Sequence, residues 1–97
     1  MSKRDAWIEK LKARIDEANA DIDKMQAQAR RANADAKMKY EERLEDLRDQ
    51  RDHDSSRLQE LRDSSNEAWE DIKSGAEDAW NRLSNSMKKA RERFGDE

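Results

Sequence analysis

Apolar residues recur every three or four positions through the first part of the chain: Ile8, Leu11, Ile15, Ala18, Ile22, Met25, Ala29, Ala32 and Ala36. Nearly everything between them is charged or polar. Steps that alternate between three and four make a heptad repeat. Such a repeat keeps one apolar seam along one side of a helix and predicts lengthwise packing with a left-handed supercoil. Ser2 is placed to cap the first helix, and Asp5, three residues on, suits the positive end of its dipole. At Tyr40 the steps become four and four (Ala36, Tyr40, Leu44), a stutter expected to unwind the supercoil locally without ending the helix. Leu44 and Leu47 restore the heptad. The next two seam positions are Arg51 and Asp54, its least apolar point, before Leu58 and Leu61.

Two stretches read as breaks. Ser55-Ser56 follows the polar gap, and Ser56-Arg57-Leu58-Gln59 has the form of a capping box. Asp63-Ser64-Ser65-Asn66-Glu67 is the second, with Ser64 and Glu67 in the same relation. Three architectures follow: one helix of about 90 residues and roughly 130 Å, a hairpin turning near 51–56, or a turn near 63–66. A bent or hairpin form is favoured. The expected fold class is all-α: an elongated coiled coil forming one unit over 1–97, with a heptad segment (1–62) and a second segment (63–97) of different period. The seam must find its partner within the chain or in another copy.

That second segment follows an eleven-residue rhythm. Ala68, Ala79 and Ala90 are eleven apart, and Ile72, Leu83 and Phe94 each follow four places later. At 3.67 residues per turn the stripe runs nearly straight. Trp69, Ile72, Ala76, Trp80, Leu83, Met87, Ala90 and Phe94 fall in one narrow sector, and Gly95 suits a helix C-cap. Residues 63–78 carry six acids and one base, Lys73, whereas residues 81–94 carry five bases and one acid, Glu92. Acid first and base last complements the helix dipole and would also favour antiparallel pairing with a second copy.

Composition narrows the picture. With 33% hydrophobic and 46% charged residues the chain has too little apolar surface for a broad globular core. The choice lies between disorder and long helices, and the kept periodicity, with no Pro and two Gly, decides for helix. Both signs of charge are interspersed around a net −3. The absence of Cys excludes disulfides and thiolate metal sites. Residues 1–7 show no apolar signal-peptide core, and no run approaches the ~20 apolar residues of a membrane span. A cytoplasmic location is the expectation.

Several segments carry a resemblance: Trp7-Ile8-Glu9-Lys10-Leu11-Lys12-Ala13, Ile22-Asp23-Lys24-Met25, Tyr40-Glu41-Glu42, and above all residues 67–80, where Trp69-Glu70-Asp71-Ile72-Lys73 is followed by Trp80. Together they resemble short bacterial coiled-coil proteins of the cyanobacterial-type stress-response family. This chain has Ala18 where an aromatic is frequent in that family, and Ser65 where Gly is frequent. The resemblance implies a non-enzymatic bacterial helical protein induced under stress, and transfers no catalytic residue.

Candidate chemistry is sparse. Asp21-Ile22-Asp23 and Asp52-His53-Asp54 bring hard ligands close in sequence, but positions i and i+2 of a helix diverge, and no Glu precedes His53 by three. The serines Ser55, Ser56, Ser64, Ser65, Ser84 and Ser86 have only His53 as a histidine base, and a thin coiled coil has little concavity. No cofactor, metal or catalytic residue is expected. Nucleic-acid binding would rest on small clusters, Arg30-Arg31 with Lys37 and Lys39, or Lys88-Lys89-Arg91-Arg93, without a docking motif, and is not expected. The expected function is a self-assembling, non-enzymatic structural or interaction protein with a stress-linked role, a homo-oligomer or partner of another helical protein. Its seam comprises Ile8, Leu11, Ile15, Ile22, Met25, Leu44, Leu47, Leu58, Leu61, Ile72, Leu83 and Phe94. The alternative is peripheral membrane binding through the face of Trp69, Trp80 and Met87 flanked by Lys88, Lys89, Arg91 and Arg93.

Overall fold

A computed structural model of the chain describes the backbone of residues 2–95 and the side chains of residues 2–93. Three helices follow one another: α1 (Lys3–Arg31), α2 (Ala34–Asp63) and α3 (Trp69–Gly95). They run up, down and up in a bundle 51 Å long and 20 × 17 Å across, with a radius of gyration of 15.4 Å. A globular chain of this length would have about 13 Å, so the fold is elongated as well as all-helical. The length matches one helix of about 30 residues at 1.5 Å each and rules out a single straight rod.

Ser2 caps α1 as its sequence position suggests, its Oγ accepting from the Asp5 amide at 3.1 Å. The heptad seam then crosses a break that its rhythm conceals. α1 ends at Arg31, Ala32 turns extended, and Asn33 caps α2, its Oδ1 accepting from the Ala36 amide at 3.0 Å. The small residues Ala29, Ala32 and Ala36 let the chain reverse within two residues while staying on the apolar side. Tyr40, the stutter position, lies in the second turn of the new helix.

Of the two expected turn positions, 63–66 coincides with the connection between α2 and α3. The other, 51–56, is corrected: these residues lie within the uninterrupted α2. Neither Gly nor Pro stands there to stop a helix, and the capping-box form of Ser56 is outweighed by packing on both sides, at Leu47 and at Leu58 and Leu61. The capping expected of Ser64 is also corrected. Ser64 closes α2, its hydroxyl donating to the Leu61 carbonyl at 2.8 Å, while Ser65 accepts from the Ala68 amide at 3.3 Å at the approach to α3.

The core is a pair of apolar clusters stacked along the bundle. One lies towards the α1–α2 turn and gathers Ala18, Ile22, Met25, Leu44, Leu47, Leu83, Met87 and Ala90 among others. The second, towards the α2–α3 connection, contains Leu11, Ile15, Leu58, Leu61, Trp69 and Ala76, with Trp7, Ile8 and Ile72 packed on it. Trp80 touches both. Asp54 is buried between them in sequence along α2, the one buried charged side chain among the described residues.

Candidate functional site

The expected self-association residues are the core of a single chain. Leu11, Ile15, Ile22, Met25, Leu44, Leu47, Leu58, Leu61 and Leu83 are buried, and Ile8 and Ile72 are half-buried near the α2–α3 end. The side chain of Phe94 lies outside the described residues, as do those beyond Gly95 that would test a C-cap there. The seam's partner is therefore intramolecular. The membrane-facing set divides in two. Trp69 and Met87 are buried and Trp80 half-buried in the bundle, whereas Lys88, Lys89, Arg91 and Arg93 are exposed.

Three polar arrangements stand out. The first is a waist between the apolar clusters. Asp54 is 1% exposed and neither carboxylate oxygen has a hydrogen-bond partner. Desolvation pushes its pKa from 3.8 up to about 6. Its neighbours one helical turn away are engaged elsewhere: Arg51 donates to Asn19 Oδ1 at 3.1 Å and to Asp52 at 2.9 Å, and Arg57 to Glu60 at 3.0 Å. Gln50 reaches across to the Ser86 hydroxyl of α3 at 3.1 Å. Sequence reasoning identified Arg51 and Asp54 as the polar point of the seam; that their side chains part ways, one outward and one in, was not legible from spacing.

The second arrangement fastens the α2–α3 end. Arg4 donates to the carbonyls of Leu61 (2.9 Å), Arg62 (3.4 Å) and Ser64 (2.6 Å), and to Asn66 Oδ1 at 3.2 Å. The last carbonyls of a helix lack intrahelical donors, and a cation there is also favoured by the dipole. Beside it, Trp7 and Trp69 meet edge to face with centroids 6.4 Å apart. Lys73 Nζ lies 5.2 Å from the Trp69 ring and 5.9 Å from that of Trp7, and Arg14 sits 5.4 Å over Trp80. These cation–π contacts set Lys73 and Arg14 on the rings, whereas the bases expected to flank the stripe, Lys88, Lys89, Arg91 and Arg93, take no part in them. Arg4 carries no motif; its role appears only when residues sixty positions away are brought to it.

The third is a charged end. Because α1 and α3 run parallel, the basic runs near 30, 38 and 90 lie towards the same end, with Ala29, Ala36 and Ala90 in one cluster and Arg91 3.9 Å from Asp21.

Catalytic convergence is not seen among the described residues. His53, Ser55 and Ser56 are exposed on α2, and Ser64 is spent on its own helix end. No group of three His, Cys, Asp or Glu residues is placed to hold a metal ion among the described residues. The concave surfaces are open grooves beside the α1–α2 turn and along the helices, lined by mixed charges. No helix among the described residues is long and apolar enough to cross a membrane. No family model, curated protein or solved structure matches the chain.

Proposed function

We propose that this chain is a non-enzymatic structural or interaction protein that works through the outside of a closed helical bundle. One observation carries the reading: the apolar seam is consumed within the chain, which leaves a surface dominated by charged side chains. A surface of that kind makes salt-sensitive contacts with charged partners and provides no dry pocket in which reacting groups could be aligned. The resemblance to bacterial stress-response coiled coils supports a stress-linked role. Self-assembly remains part of the proposal in a changed form. Since the seam is already paired, copies would associate by exchanging α3 through the 64–68 connection, with the same core contacts made between chains.

Sedimentation across a wide concentration range tests this. An 11.4 kDa monomer at low concentration that gives way to dimers only slowly, with unchanged helix content, is the expected result. Rapidly reversible oligomers whose formation leaves the α2–α3 connection closed would sink the exchange route.

Membrane binding through the apolar face of α3 is the weaker reading on energetic grounds. Leu83 is 0% exposed and Trp69, Ala76 and Met87 are nearly so. Presenting them to lipid requires α3 to leave the bundle and both clusters to lose one wall.

A further inference from the structure

The fold assembles an end that the linear sequence disperses. Residues 21–45 and 87–93, which form the part of the bundle nearest the α1–α2 turn, carry ten bases and seven acids. The other described residues carry eleven bases and fifteen acids. A chain of net −3 is thus a charged rod with a positive head and a negative body. At the outermost part of the head, residues 28–40, four bases (Arg30, Arg31, Lys37, Lys39) stand against one acid, Asp35.

Helix stabilisation accounts for only some of this charge. Arg30, Arg31 and Arg93 lie in the last turns of α1 and α3, where cations complement the dipole. Lys37 and Lys39 do the opposite: they lie near the amino end of α2, where a cation is disfavoured. Between them is Met38, 65% exposed, the one large apolar side chain left in solvent among the described residues. Met25 and Met87, by contrast, are buried. An exposed apolar side chain set between two lysines, at the positive end of a negative rod, has no role in the packing of the bundle.

We propose that this end docks the closed bundle, head first, on an anionic lipid surface. The lysines and arginines face the headgroup phosphates, Met38 enters the headgroup layer, and the negative body is repelled, which sets the rod upright. The site is separate from the apolar face of α3, which stays buried throughout. A nucleic acid is the less suitable partner, because among the described residues no exposed aromatic side chain at this end is available to stack on bases. The inference needs no self-assembly, so its failure would leave the interaction-protein reading standing.

The test is co-sedimentation of the full chain with phosphatidylglycerol-containing vesicles and with pure phosphatidylcholine vesicles, at low and high salt. Binding to the anionic vesicles alone, lost at high salt, is expected. Each of Lys37→Gln and Lys39→Gln should weaken it about fivefold, Lys88→Gln and Lys89→Gln, set back from the tip, by less, and Met38→Ser by at least about fivefold. All five positions are exposed, so circular dichroism should show unchanged folding. Trp fluorescence should stay unshifted, because the Trp side chains remain in the bundle. No binding to anionic vesicles overturns the proposal. So does binding with a blue shift that survives the lysine changes, which would assign the contact to α3. Duplex DNA that displaces the vesicles, with a DNA affinity untouched by Met38→Ser and an equally untouched vesicle affinity, would show a generic cation patch and also overturn it.

Discussion

Replacing Asp54 by leucine should make the protein more stable, by an amount that depends on pH. Asp54 occupies a seam position, is 1% exposed and has no hydrogen-bond partner on either oxygen. Its pKa is raised by burial from 3.8 to about 6. Between those values the folded protein holds a proton that the unfolded chain has released, so stability falls as pH rises through that window. The loss is complete above about pH 6. At 1.36 kcal/mol for each tenfold step in proton affinity, the buried charge costs about 3 kcal/mol at neutral pH. Asp54→Leu removes this cost and adds an apolar side chain on the seam, for a gain of about 3–5 kcal/mol. In a domain of this size that raises the midpoint of thermal unfolding by at least about 12 °C. Asp54→Asn removes the charge but keeps a buried polar group, so its gain at neutral pH should be smaller. The assay is urea unfolding followed by far-ultraviolet circular dichroism, near pH 4 and near pH 7.5. Every other carboxylate titrates alike in the variants, so differences from the parent isolate position 54. The advantage of Asp54→Asn should shrink by about 2 kcal/mol on going to the lower pH, where the unfolded carboxyl is still partly ionised. An advantage equal at both pH values, or a leucine variant less stable than the parent at pH 7.5, would refute the reasoning.

Other outcomes follow from the helix ends and from α3. Arg4→Ala should cost about 2 kcal/mol in urea unfolding, because three carbonyls at the end of α2 lose a charged donor. Asn33→Ala removes the cap of α2 and should cost about 1 kcal/mol, visible in the same titration. Gly75→Ala should add up to about 1 kcal/mol, since Gly75 is inside α3 and the new Cβ meets only the Arg57 guanidinium at 3.9 Å, an ordinary contact. A fall in the thermal midpoint for Gly75→Ala would mean that this face of α3 is closer to α2 than the structure has it.

The seam made the helices and the core residues legible, because a period of three and a half is written in residue types and needs no distant information. It did not make the number of helices legible. A two-residue reversal at Ala32 and Asn33 costs the seam no apolar position, and alanine is both a good helix former and a tolerable turn residue. Asn33, a strong N-cap with Asp35 behind it, was the available signal, placed directly after the Arg30-Arg31 end of α1. At 51–56 the reverse holds. Polar seam positions resembled a turn, yet a long helix packed at both ends carries a short polar stretch through its middle. What spacing could not convey was pairing across the bundle: Arg4 with the end of α2, Lys73 with two tryptophans, Gln50 with Ser86. The charged head was written in three separate runs, and only the direction of each helix brings them together.

The Arg4 contact bears on which part of the bundle can open alone. All four of its acceptors, at Leu61, Arg62, Ser64 and Asn66, precede Trp69 in the sequence. The α1–α2 hairpin can therefore be fastened at its open end without any residue of α3. α3 is then the helix that can leave and return while that fastening holds, against the wall of Leu11, Ile15, Leu58 and Leu61.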